Sequence, residues 1–201
     1  MVKLFPIIFI VLWSSAFVTT KPIINNSDPF SALAFRFLFV AIGFFLFSLY
    51  EKKKILIKKK FLFNSLGTGV LFHGFYLGGV FYSVFVGLPV NVAALIVTLQ
   101  PVLTNALAGK FLNEQVKLQQ WLGVMLGFIG ATLVIGLDIG EDLPTDGIVA
   151  VVISLIAITT STIWQKKVSD DVPLSVNNMY QAIGAVIFHL LIIFLFFNEP
   201  F

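Results

Sequence analysis

The chain has 201 residues, 58% of them hydrophobic and 11% charged, with a mean hydropathy of +0.99 and a net charge of +3. A soluble domain is about a quarter charged and under half apolar, so a water-soluble enzyme is all but excluded and the excess apolar surface must face lipid. Cysteine is absent, which removes disulfides, thiolate metal sites, iron–sulfur clusters and cysteine nucleophiles.

A bilayer core of ~30 Å needs about 20 apolar residues as helix. The first such run is 4–20, following Lys3. Its charged start and the small residues Ser14-Ser15-Ala16 resemble a signal peptide. The run continues to Thr20 and further spans follow, so it reads as a retained helix. Trp13 lies in mid-span, where the interfacial aromatic belt does not account for it. The second span, 30–50, carries Arg36, the only arginine, one to two turns from its outer end. Arg36 can contact an anionic solute group, bond to a neighbouring helix, or snorkel to head groups; a structural role is the expectation.

The connector EKKKILIKKK leads to span three, 62–86. There His73 reads first as a buried hydrogen-bond partner and second as a proton carrier. Tyr76 and Tyr82 are placed for a pocket and for the outer interface, and Gly74 and Gly78 form a GxxxG packing face. Span four, 92–109, is interrupted by Gln100-Pro101, which predicts a bend that exposes carbonyls. Span five, 118–137, starts at an interfacial Trp121 and carries Gly123, Gly127 and Gly130, read as helix packing and not as a phosphate loop. The acidic connector with Asp138, Glu141, Asp142 and Asp146 lacks calcium-loop spacing. Span six is 147–165. Span seven, 174–197, carries Tyr180-Gln181, and His189 among Phe188, Leu190 and Leu191, where it is expected to face core or lipid. None of these runs shows the alternation of a β-barrel strand.

With the N-terminus inside, the cytoplasmic side holds Lys3, Lys52, Lys53, Lys54, Lys58, Lys59, Lys60, Lys110, Lys117, Lys166 and Lys167, eleven of the thirteen cations. Lysine retention in short cytoplasmic loops therefore orients the chain. The Lys52–Lys60 cluster reads as a topology determinant, with anionic lipid binding as the second option. The start of the chain and residues 147–197 share a faint pattern of span, lysine, proline pair and span, with Pro29-Phe30-Ser31 facing Pro173-Leu174-Ser175. A repeat unit of five spans forces the two copies into opposite orientations, a common transporter architecture.

Several stretches then point one way together. Leu12-Trp13-Ser14-Ser15-Ala16-Phe17, Pro29-Phe30 with Ala34-Phe35-Arg36-Phe37, and the run FYSVFVGLPVNVAALIVTLQPVLTNALAGKFLNEQVKLQQWLGVMLGFIGATLVI resemble the EamA family of the drug/metabolite transporter superfamily. Ser14 and Asn113 stand where the family usually has glycine. The resemblance implies an all-α integral membrane protein, a multi-span helical bundle of inverted five-helix repeats. Residues 1–137 would form the first repeat and 138–201 the start of an incomplete second, with seven of ten helices present. It implies an EamA-type permease moving a small metabolite, such as an amino acid or drug-like compound, across the inner membrane by alternating access. The alternative is a truncated, non-transporting membrane protein that needs a partner or is a relic.

Substrate-pathway candidates are Trp13, Ser14, Arg36, His73, Tyr76, Gln100, Pro101, Tyr180 and Gln181. No HExxH, GxSxG, paired intramembrane carboxylate or ATP motif is present, so no enzymatic activity, metal or cofactor is expected. The expected partners are a small-molecule solute and the lipid bilayer, with no nucleic acid; a homodimer is left open.

Overall fold

The computed structural model describes residues 5–112, 117–135, 143–168 and 172–196. Among these residues the chain is helical and contains no strand. The helices are α1 (Phe5–Ile24), α2 (Pro29–Tyr50), α3 (Lys59–Phe85), α4a (Val90–Val97), α4b (Gln100–Leu112), α5 (Leu118–Ile135), α6 (Thr145–Val168) and α7 (Leu174–Phe196). They occupy the seven expected spans, the fourth being divided. Five segments are long and apolar enough to cross a membrane: Pro29–Tyr50, Lys59–Phe85, Val90–Leu107, Thr145–Val168 and Leu174–Phe196. The chain is an all-α, multi-pass membrane protein. The connector residues Asp138, Glu141 and Asp142, and Asn113, lie outside the described residues.

Helix ends follow local chemistry. Asp28 caps α2, its Oδ1 accepting from the N–H of Phe30 at 2.9 Å and of Ser31 at 3.0 Å, and Pro29 opens the helix with a preset φ. α3 ends where Gly87 adopts φ 99°. Gly87 N–H then donates to Val84 and Leu88 N–H to Ser83, closing both orphan carbonyls. Within span four, Pro101 has no N–H to offer the Val97 carbonyl one turn back. Helix α4a stops at Val97, and Gln100-Pro101 opens α4b.

α3 is the centre of the bundle, packed by α7, α6, α2 and α1, with its most extensive interface to α6, and α2 and α7 pack extensively on each other. Glycines set these distances. A Cβ on Gly69 would collide with the Gln181 backbone, and one on Gly184 would stand 2.6 Å from the Leu66 carbonyl oxygen. At Gly74 it would lie 2.8 Å from Phe188 Cδ1, and at Gly78 3.2 Å from His189 Cε1. The expected packing face of Gly74 and Gly78 therefore meets α7. Against α6, Gly67 lies under the Trp164 ring and Gly147 against Leu88 and Ser83. Hydroxyl groups join the same seams: Ser65 Oγ donates to Asn177 Oδ1 at 2.7 Å and Ser161 Oγ to the Thr68 carbonyl at 3.0 Å.

These pairings also give direction. Along α3, Gly69, Gly74 and Gly78 meet Gln181, Phe188 and His189 in order, so α3 and α7 are parallel. Gly67 and Gly79 meet Trp164 and Ser154, so α6 is antiparallel to α3. Phe30 lies beside His189 while Glu51 accepts from Ser175 Oγ at 2.9 Å, so α2 is antiparallel to α7. Helix α5 packs chiefly on α4a and α4b. At Gly123, Gly127 and Gly130 a Cβ would meet no atom of the described residues within 4 Å. They do not serve packing among the described residues, because α5 turns that face away from the bundle.

Gly69→Val is expected to separate α3 from α7 and cost at least the ~1–3 kcal/mol of an overpacked core, whereas Gly123→Val is expected to be silent. Thermal denaturation of the detergent-solubilised variants, read by size-exclusion peak height, checks both.

Candidate functional site: a polar cluster where three helices meet

The middle of α3 is not an α-helix. Val70–Tyr76 form a seven-residue π-helical segment, a conformation found in well under 1% of residues and often at functional sites. Two of its carbonyls are reached by side chains of other helices. His189 Nε2 of α7 lies 3.1 Å from the His73 carbonyl oxygen. A carbonyl only accepts, so Nε2 carries the hydrogen. Ser154 Oγ of α6 donates to Ala150 O at 2.8 Å and stands 3.4 Å from the Phe75 carbonyl. Polar backbone at membrane depth is tolerated only where protein groups answer it, and His189 and Ser154 answer it here.

The two imidazoles sit in an aromatic bed. Phe37 of α2 meets both, tilted against His73 at 4.6 Å and stacked with His189 at 6.1 Å between centroids. Phe72 meets His73 edge-on at 4.9 Å, and Phe188 meets His189 edge-on at 5.5 Å. Phe30 closes the far side of His189 at 6.0 Å. Gly74 and Gly78, lacking side chains, leave the room that Phe188 and His189 fill.

Polar capacity is left over in this packed seam. Gln181 is 3% exposed and His189 fully buried, yet Gln181 Nε2, His189 Nδ1 and His73 Nδ1 have no hydrogen-bond partner. Ser31 Oγ at the top of α2 is also unpartnered. The Arg36 guanidinium lies 5.7 Å from the centroid of the Phe37 ring. Arg36 itself lies on an exposed flank of α2, next to buried Phe37.

Three sequence candidates therefore lie in the buried seam of α3 and α7: His73, Tyr76 and Gln181. Others do not join them. Gln100 Nε2 donates to Thr104 Oγ1 at 3.0 Å and Thr162 Oγ1 at 3.4 Å, linking α4b to α6. Pro101 is exposed at the start of α4b. Tyr180 is a neighbour of Gln181 in sequence only: its hydroxyl donates to the Ile55 carbonyl at 3.2 Å and ties α7 to the lysine-rich connector. Trp13 and Ser14 lie in α1, but their side chains are outside the described residues.

Sequence reasoning undervalued His189 and missed the π segment. A signal existed for the first. Gln181, Ala185 and His189 recur every four residues, which puts them on one helix face, and all three are buried. The apolar residues around His189 point elsewhere: Leu190 and Leu191 are each 53% exposed.

The membrane-spanning helices and the polar seam between them define a multi-pass membrane protein with polar groups in its interior. Its family follows from comparison. The EamA-like transporter family model matches residues 2–136, and the chain belongs to that family. It is 30% identical over 204 residues to an uncharacterized transporter, YyaM, of Bacillus subtilis (strain 168), covering 96% of this chain and 64% of that protein. It is 23% identical to a probable amino-acid metabolite efflux pump of Salmonella typhimurium, covering 83% of this chain and 54% of the pump. A second uncharacterized Bacillus subtilis transporter, YvbV, is 24% identical over 79% of this chain and 51% of its own length. The chain thus spans about half to two thirds of the length of these relatives. No solved structure matches.

His189→Leu is expected to leave the His73 carbonyl unanswered and lower stability by about 0.5–2 kcal/mol, the range for interhelical hydrogen bonds in membranes. His189→Gln, whose amide can donate from a similar position, is expected to recover most of the loss. Thermal melts of the two variants in the same detergent test the difference.

Proposed function

We propose that this protein works as an EamA-type secondary permease that moves a small metabolite, such as an amino acid or a drug-like compound, across the inner membrane by alternating access. One observation carries the reading. α2 and α7, the second helices of the two expected five-helix units, pack antiparallel along their length, and a polar cluster lies at their junction with the middle of α3. An interface between oppositely oriented repeats, with unanswered polar groups near mid-depth, is what a transporter of inverted-repeat design needs. The division of residues into 1–137 and 138–201 agrees with it, since the family match ends at residue 136.

The broken helix α4a–α4b supplies a pivot beside this centre. The exposed face of Gly123, Gly127 and Gly130 is where a second copy would pack in a homodimer. Lysine distribution sets the N-terminus in the cytoplasm. The names of the relatives support transport as the activity and amino acids as a first solute class to try. The cluster offers hydrogen bonds and ring faces to a bound solute.

Purified protein reconstituted in proteoliposomes loaded with unlabelled amino acids is expected to accumulate radiolabelled amino acid by counterflow faster than empty liposomes. Pro101→Ala, which lets span four run on as one helix, is expected to slow it while leaving folding intact. Folded protein that moves no solute in this assay favours the alternative of a non-transporting membrane protein.

A further inference from the structure

Six lysines crowd the connector from α2 to α3: Lys52, Lys53, Lys54, Lys58, Lys59 and Lys60. All six are exposed. Like charges this close repel, and the chain offers little to answer them. The connector's only acid is Glu51, whose carboxylate already accepts from Ser175 Oγ at 2.9 Å. The first turn of α3 holds no acid and its start has no side-chain cap, although cations are unfavourable at the positive end of a helix dipole. Because α6 is antiparallel to α3, Lys166 and Lys167 close α6 at the same end of the bundle. The link that follows carries Asp170 and Asp171, which lie outside the described residues. Connector and link together hold eight lysines against three acids.

The backbone fixes how the connector presents its charge. Lys52 turns at φ 54°, and Lys53 N–H donates back to the Ser48 carbonyl at 2.9 Å. From there the chain runs to Lys58 without helix, and exposure alternates residue by residue. Ile55 and Ile57 are half-buried. The Ile55 carbonyl accepts from the Tyr180 hydroxyl of α7 at 3.2 Å, which ties this inner edge to the bundle. Lys54, Leu56 and Lys58 are turned outward, and Leu56 is 80% exposed. A period of two is that of extended backbone. The outer edge therefore reads cation, apolar, cation. Tyr50 and Phe63, exposed on the helices to either side, extend its apolar part.

A lysine-rich edge with apolar side chains among the charges, at the end of a bundle of membrane-spanning helices, matches one surface. That surface is the anionic headgroup layer of a leaflet, with acyl chains beneath it. A soluble phosphate would answer the charge and leave Leu56 in water.

We propose that the Lys52–Lys60 connector is a docking surface for anionic phospholipid. Its lysines meet the lipid phosphodiesters, and Leu56 reaches the acyl boundary between them. With the N-terminus in the cytoplasm, the leaflet engaged is the cytoplasmic one. Neither the site nor its test depends on solute transport.

The test uses the full chain in neutral detergent and two probes with the same acyl chains, dioleoyl phosphatidylglycerol and dioleoyl phosphatidylcholine. Native mass spectrometry counts the lipid retained from each. Each lysine near an anionic surface is worth about fivefold, so phosphatidylglycerol is expected to be retained about tenfold or more over phosphatidylcholine. Lys54→Gln combined with Lys58→Gln is expected to lose most of that preference. The four remaining lysines of the connector keep the chain's orientation. Lys21→Gln combined with Lys117→Gln removes the same charge from exposed sites elsewhere and is expected to keep the preference. Leu56→Ser is expected to weaken retention of both lipids. Thermal melts in lipid-free detergent establish that the variants are folded. Raising NaCl from about 0.1 to 1 M shortens the screening length from about 10 to 3 Å and is expected to strip phosphatidylglycerol from the unmutated chain. That series carries the test should a double variant not fold.

Equal retention of the two lipids overturns the proposal. So does a preference that survives high salt, or one that the two double variants lower alike, which assigns it to overall charge. Inorganic phosphate that displaces phosphatidylglycerol beyond a chloride control of equal ionic strength also overturns it, making the connector a site for soluble anions.

Discussion

The structure depends on the close approach of α3 to α7 at two glycines. Gly69 faces the Gln181 backbone and Gly184 faces the Leu66 carbonyl, so main chain nearly touches main chain on both sides of the seam. In lipid there is no hydrophobic force between helices, and association relies on van der Waals contact and interhelical hydrogen bonds, both of which need short distances. The short distance at Gly69 and Gly184 makes the Ser65–Asn177 bond possible. One turn further along, it brings His189 within reach of the His73 carbonyl. The same device operates on the other flank of α3, where Gly67 admits Trp164 and Gly79 admits Ser154 from α6.

This packing explains why the π segment can exist where it does. A widened helical turn exposes backbone groups that a bilayer cannot hydrate. His189 and Ser154 stand at its carbonyls, and Phe37, Phe72 and Phe188 exclude lipid from its rings. Of the unpaired buried side-chain atoms among the described residues, Gln181 Nε2 and the Nδ1 atoms of His73 and His189 belong to this seam, while Ser31 Oγ and Ser48 Oγ lie near the two ends of α2. Span four shows a different solution to the same constraint. There Pro101 removes a donor, the helix stops and restarts, and the Thr98 hydroxyl donates to the Leu95 carbonyl at 2.6 Å at the end of α4a.

Much of this was legible before any coordinates. Helix positions follow from the length of apolar runs, because a span must bury about 20 apolar residues whatever its neighbours are. The break at Gln100-Pro101 follows from the missing N–H of proline, and the packing face of Gly74 and Gly78 from the spacing of residues without side chains. The same spacing at Gly123, Gly127 and Gly130 names no partner among the described residues, since small residues permit close approach without specifying what approaches.

The sequence by itself determined which segments are helices, where the polar residues lie along them, and the family to which the chain belongs. Those are local or cumulative properties, written in hydropathy and in proline and glycine positions. Only the tertiary structure decided that His73, Tyr76 and Gln181 lie in one buried seam while Gln100 and Tyr180 serve other contacts, that His189 supports a carbonyl over a hundred residues away, and that α3 widens into a π turn. Those facts depend on the rotation of each helix about its axis and on its choice of neighbour. Spans apolar on nearly every face leave both unspecified until the glycine seams close.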